Sequence, residues 1–162
     1  RKQGLPIVLD LVGASYLPAL QRLNATIERV DAERHWVHYH GAVSFDALQH
    51  HYAQADLGLF ASSCENMPNI LLETMASGLP IACSNKGPMP EILGDSGVYF
   101  DPEQPEDIER ALHTLIVSEK LREEKANASY QLAQDYSWEC CAEQTFGFIY
   151  EIAKRYACQY PR

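Results

Sequence analysis

Short apolar runs alternate along this chain with stretches in which apolar residues recur every three or four positions. Residues 6–12 are an apolar run closing on Gly13, read as a strand. Leu17, Leu20, Leu23, Ile27 and Val30 then mark one face of an amphipathic helix. Residues 36–40 read as the next strand, and Ser44 caps a helix reaching about residue 55. Residues 57–61 form a strand, 68–77 a helix, 81–84 a buried strand and 98–100 a short one. From Pro105 onward the pattern is helical, divided into three helices by caps at Ser118 and Ser137. In the last helix Trp138, Ala142, Thr145, Ile149, Ile152 and Tyr156 form one continuous stripe. Strands alternating with helices across short links predict an α/β fold, a Rossmann-like doubly wound parallel sheet. No repeat, low-complexity tract or linker interrupts the pattern, so residues 1–162 read as a single domain.

Composition narrows the partners. With 22 acidic and 13 basic residues the net charge is −9. No basic stripe is present to neutralise phosphates, which argues against nucleic acid. The five cysteines include the adjacent pair Cys140-Cys141, but no Cys-x-x-Cys occurs, so reduced thiols are expected. The chain carries no secretory signal and no apolar run long enough to span a bilayer. Membrane contact is therefore not indicated in this segment, and a cytoplasmic location is expected.

The most informative chemistry lies in Ser62 to Glu73. Proline belongs on a first helical turn, and the residue before it is pushed out of the helical region, so Met67 reads as the N-cap and Pro68 as the first helical residue. Gly78 and Pro80 end the helix in the usual order. The N–H groups of Asn69, Ile70 and Leu71 then point out of a helix N-terminus, a site suited to a phosphate. Glu65 stands in the loop before it and Glu73 on the helix after it. Carboxylates accept from hydroxyls, and phosphate with hydroxyls suggests a nucleotide-sugar. Ligands of doubly wound sheets bind beyond the carboxyl ends of the strands. Gly13-Ala14-Ser15, Gly41 to Ser44, Ser62 to Asn69 and Asn85 to Pro90 are the loops at those ends.

A metal finds little support in the motifs. Neither Asp-x-Asp nor His-Glu-x-x-His occurs, nor cysteines at zinc spacing. His38 and His40 share a strand face, but a pair is not a site; His50 and His51 point apart on their helix. No Gly-x-Ser-x-Gly nucleophile elbow is present.

The segment Glu65 to Glu73, continued by Thr74-Met75-Ala76-Ser77-Gly78-Leu79-Pro80-Ile81-Ala82-Cys83, resembles the donor-binding heart of the family 4 retaining glycosyltransferases of the GT-B fold. The similarity extends through Gly87-Pro88-Met89-Pro90-Glu91-Ile92-Leu93 and Gly97-Val98-Tyr99-Phe100-Asp101-Pro102, and upstream to Val12-Gly13 and His40-Gly41-Ala42-Val43-Ser44. The resemblance implies roles. Glu73 would take the ribose hydroxyls and Glu65, the catalytic candidate, the transferred sugar. Met67, Pro68, Asn69 and Ile70 would approach sugar and diphosphate by backbone, Ala42 and Val43 the base, and Gly13 the ligand through its backbone. Each has a plainer reading: a solvated helix residue for Glu73, a loop charge for Glu65, ordinary turns for Gly13 and for Ala42-Val43. Lys86 reads as a phosphate contact or a solvated loop lysine, and Glu91 as the start of a short helix. No metal and no cofactor beyond the nucleoside-diphosphate sugar is implied.

One departure from the family pattern is large. The donor domain of the family begins with a strand, a basic loop holding an Arg and a Lys, and a helix. Here Arg1-Lys2-Gln3-Gly4 resembles the tail of that helix. The chain is therefore expected to be a donor-binding fragment that lacks its first strand and helix and the N-terminal acceptor domain. Alone it is expected to be inactive and to self-associate through the two strands the absent one would separate. The function implied for the parent is hexosyl transfer from a nucleoside-diphosphate sugar to an acceptor hydroxyl, with retention, in polysaccharide or glycoconjugate biosynthesis. A nucleotide-sugar epimerase of similar fold and a non-catalytic nucleotide-sugar binding module are the alternatives.

Overall fold

The computed structural model describes residues 4–159, apart from the side chains of Ala157 and Cys158. Arg1, Lys2 and Gln3, expected to belong to a helix tail, lie outside the described residues. The chain forms two compact units, one reaching Ala53 and the other starting at Gln54. The fold is α/β, with parallel strands flanked by helices, as the sequence pattern predicts.

The first unit holds β1 (Leu9–Val12), α1 (Leu17–Val30), β2 (Val37–Gly41) and α2 (Phe45–Gln54). β1 and β2 are parallel, with Leu9 opposite Val37 and Asp10 opposite His38. The register slips after Leu11–Tyr39, so that Val12 faces Gly41 and His40 is the extra residue. The first strand is shorter than expected. Pro6 has no N–H to offer a ladder, and ladder pairing starts where Leu9 donates to the Trp36 carbonyl (2.7 Å). Within the helix stripe Ile27 is buried, whereas Leu17 and Val30 at its ends are exposed. α1 stops at Asp31, a buried carboxylate that accepts from the backbone N–H groups of His35, Trp36 and Val37 at 2.8–3.0 Å. Burial alone would raise its pKa; the three N–H bonds outweigh that and lower it. Ser44 caps α2 as expected, accepting from the Ala47 N–H at 3.3 Å.

The second unit holds β3 (Gly58–Phe60), α3 (Asn69–Ala76), β4 (Ile81–Ser84), α4 (Met89–Leu93), a single 3-10 turn, β5 (Gly97–Phe100), α5 (Pro105–Val117), α6 (Glu119–Ala133) and α7 (Trp138–Gln159). The sheet order is β3-β4-β5, all parallel. β4 is buried along its whole length, the mark of a strand covered on both faces. Ile81 and Cys83 enter one cluster with Leu71, Met75, Met89, Ile92, Leu93 and Ala133. Ala82 enters another with Phe100, Ala111 and Leu115. Alternation along one strand thus seats α3, α4 and α6 against one face and α5 against the other. Ser118 and Ser137 cap their helices as expected, accepting from Leu121 and Cys140.

α7 forms as its spacing predicts, but Trp138, Ile149, Ile152 and Tyr156 on its stripe are exposed. Spacing sets which side of a helix is apolar; it does not set what that side lies against. No helix among the described residues is long and apolar enough to cross a membrane.

Candidate functional site

The glutamate-bearing helix is placed by what it buries. On α3, Leu71, Thr74 and Met75 are buried and share one side. Glu73 falls on the opposite, exposed side. Close approach of α3 to the sheet depends on Gly58 of β3: a Cβ there would overlap the Thr74 methyl. The Thr74 hydroxyl donates to the Ile70 carbonyl at 2.7 Å, satisfying a polar group that would otherwise be buried bare.

The helix start differs from the expectation by one residue. Pro68, not Met67, is the N-cap, and the helix opens at Asn69. Pro68 has φ −82° and ψ 78°, outside the helical region; its carbonyl accepts from Leu71 (2.9 Å) and Leu72 (3.3 Å). Asn69 donates to the Met67 carbonyl at 3.0 Å. Of the three N–H groups expected to face a phosphate, those of Asn69 and Leu71 are thus already engaged, and Ile70 is the remaining candidate. The short turn at Met67–Asn69 takes them up, a local closure that helix-end rules do not specify. Met67, Asn69 and Ile70 are exposed, and Pro68 is buried beneath them.

Glu65 is exposed in the loop before α3. The loop after β4 reaches it: a Cβ on Gly87 would lie 3.8 Å from the Glu65 carbonyl oxygen and 3.9 Å from its nitrogen. Gly87 has φ +53°, a left-handed conformation that glycine adopts freely. The fold therefore brings the Glu65 backbone beside Gly87, two segments far apart in sequence. Lys86 in the same loop is neither free nor simply solvated. Its ammonium pairs with Asp101 at 3.2 Å. The N–H of Glu103 first, and then Lys86, hold the Asp101 carboxyl below its usual range. Glu91 lies in the first turn of α4, as the sequence suggests. Cys83 beneath this region is pushed up to about 12 by burial, which makes it an inert thiol.

In the first unit Gly13 and Gly41 meet at the strand ends. The N–H of Gly13, at φ +139°, donates to the Gly41 carbonyl at 2.8 Å. The Tyr39 hydroxyl donates to the Gly13 carbonyl at 3.0 Å. Ala42, exposed, and Val43, half-buried, follow directly. Tyr39, Gly58 and Gly87 were not singled out from the sequence for these roles. A glycine inside a strand is a signal of close backbone approach and marks Gly58; nothing local marks Tyr39.

A loop and a helix start lie at the end of a parallel α/β sheet, and the comparisons identify the family. Residues 1–118 match the family described as glycosyl transferases group 1, and the chain belongs to that family. It is 32% identical over 110 residues to O-antigen chain mannosyltransferase B of Escherichia coli, covering 68% of this chain and 29% of that protein. It is 31% identical over 103 residues to a sulfoquinovosyl transferase of Arabidopsis thaliana, covering 60% of this chain and 20% of that one. The structure of a sucrose-phosphate synthase from Thermosynechococcus elongatus shares the fold, with TM-score 0.78 and 18% identity over 91% of this chain and 39% of that one. The chain thus spans less than a third of the length of both curated relatives.

Proposed function

We propose that this chain is the donor-binding portion of a retaining glycosyltransferase that moves a hexosyl group from a nucleoside-diphosphate sugar to an acceptor hydroxyl. The observation that carries the reading is the family match over residues 1–118, which includes two exposed carboxylates flanking the start of α3. The names of the two curated relatives, a mannosyl and a sulfoquinovosyl transferase, support a hexose-type donor. Glu73 accepts from the ribose hydroxyls, and Glu65 contacts the transferred sugar. Met67, Pro68, Asn69 and Ile70 approach sugar and diphosphate, with Ile70 offering the N–H. Gly13, Ala42 and Val43 serve the base and the neighbouring part of the donor.

Retention needs the acceptor oxygen to attack on the face the leaving diphosphate departs from. In this reading that phosphate helps take the acceptor proton, and backbone N–H groups and cations steady its charge. Lys86 is paired with Asp101, and in this reading a basic loop of the kind the family carries supplies the cations. An acceptor-binding domain completes the enzyme in this reading. The exposed apolar stripe of α7 is a surface suited to such packing.

The test is calorimetric titration of the intact enzyme with nucleotide and with nucleotide-sugar. Glu73→Gln is expected to weaken both by roughly 1.5–3 kcal/mol, the worth of a charge-assisted hydrogen bond. Glu65→Gln is expected to weaken only the nucleotide-sugar. Unchanged binding by both variants would sink the assignment. Epimerisation without acceptor would favour the epimerase reading, and binding with no turnover in the intact protein the non-catalytic one.

A further inference from the structure

A cluster of metal-ligating side chains lies in the first unit, away from the two glutamates in sequence and on other elements. Asp10 of β1 faces His38 of β2 in register. His38 Nδ1 lies 3.5 Å from Asp10 Oδ1, and His40 Nε2 lies 2.6 Å from the same oxygen. One atom from each of the three residues falls within 4.8 Å of the others. The register slip at His40 is what a β-bulge does: it re-aims a side chain. His51 of α2 stands against His40, with ring centroids 4.5 Å apart. All three ligand candidates are partly open to solvent, so an ion has an entry path.

Two imidazole nitrogens converge on one carboxylate oxygen: His40 is hydrogen-bonded to it, and His38 lies farther off at 3.5 Å. A divalent ion would use all three groups at once. Two imidazoles and a carboxylate are a hard-to-borderline nitrogen and oxygen set, suited to zinc and its neighbours rather than to magnesium, which prefers oxygen. Three protein ligands leave a tetrahedral ion one position for water.

We propose that Asp10, His38 and His40 bind a zinc-class divalent cation that clamps β1 to β2. The ion sits just before Gly13 and Gly41, whose backbones are hydrogen-bonded to each other, and braces the strand ends that present Ala42 and Val43. Its role is structural. It is independent of the glycosyl-transfer reading and leaves the donor site without a metal requirement of its own.

The experiment is calorimetric titration of the chelator-stripped chain with Zn²⁺, paired with the visible spectrum of the Co²⁺ form. One equivalent of Zn²⁺ is expected to bind and to raise the melting temperature, with no response to Mg²⁺. Asp10→Asn and His38→Gln are each expected to lower affinity by more than about tenfold, since even groups that merely support metal ligands are worth 10–100-fold. His50→Gln, beside His51 but outside the cluster, is expected to bind as the wild type does. Circular dichroism identifies any variant that has unfolded, and for such a variant the cobalt spectrum of the wild type decides instead: nitrogen and oxygen ligation supports the site. Absence of saturable Zn²⁺ binding, wild-type affinity in folded Asp10→Asn and His38→Gln, or thiolate charge-transfer bands in the cobalt spectrum would overturn it.

Discussion

The two units of this chain solve the same problem with different means. The second buries a complete strand: Ile81, Ala82, Cys83 and Ser84 are all fully inaccessible, with Leu71, Met75, Met89, Leu93, Phe100 and Leu115 around them. In the first unit Ile27, Val37 and Asp31 are the buried residues among those described. Its order comes from polar ties: Asp31 to three backbone N–H groups, Tyr39 and Gly41 to Gly13, His40 to Asp10. Apolar burial is non-directional and adds up over area, whereas hydrogen bonds net little each but fix geometry. The second unit is therefore expected to carry the stability, and the first to respond to pH and to bound ligands.

The largest effect is expected from Leu71→Ala. It removes a fully buried side chain from under the glutamate helix, and should cost about 2–5 kcal/mol in denaturant unfolding. A loss below that of Val37→Ala would reverse the contrast between the units. Gly58→Ala comes next. The new methyl meets Thr74, and overpacking should cost about 1–3 kcal/mol. On the proposed function, displacement of α3 from β3 should also weaken nucleotide binding in the intact protein. Unaltered melting and binding would show that the close approach is not needed.

Tyr39→Phe is expected to cost about 0.5–1.5 kcal/mol, the net worth of one hydrogen bond. Its effect should show mainly as faster amide exchange around Gly13, with the amides of β4 unchanged. Asp31 is tested by pH, because its carboxylate ties the end of α1 to the first residue of β2. Its folded pKa lies below the unfolded value. The stability it contributes is thus complete above the ordinary aspartate range and is lost as pH falls through the lowered folded value. The difference between wild type and Asp31→Asn in pH-dependent unfolding should shrink on acidification. A difference constant across that range would show that the capping charge does not matter.

The elements were largely legible in sequence because their signals are local. Ser44, Ser118 and Ser137 cap where short polar side chains precede apolar periodicity. Strand ends were less legible. Residues 6–8 are apolar enough for a strand, but a ladder needs a neighbour in register, and pairing begins at Leu9. The start of α3 lies one residue later than local rules place it, because Pro68 fits both a first helical turn and a cap. The turn at Met67–Asn69 engages two N–H groups that local rules leave open.

The linear chain by itself determined the α/β alternation, the placement of Glu65 and Glu73 around a helix start, and the family likeness confirmed over residues 1–118. These depend on periodicity and spacing, which are properties of neighbours in sequence. Tertiary structure alone decided which distant groups meet. Lys86 is paired with Asp101, and Gly87 lies on the Glu65 backbone. His38 and His40 looked like a mere pair until strand register set Asp10 beside them. The physical reason is common to all three cases. Register and loop approach are chosen by packing across the whole fold, and residues 15 to 30 positions apart carry no local trace of the contact they will make.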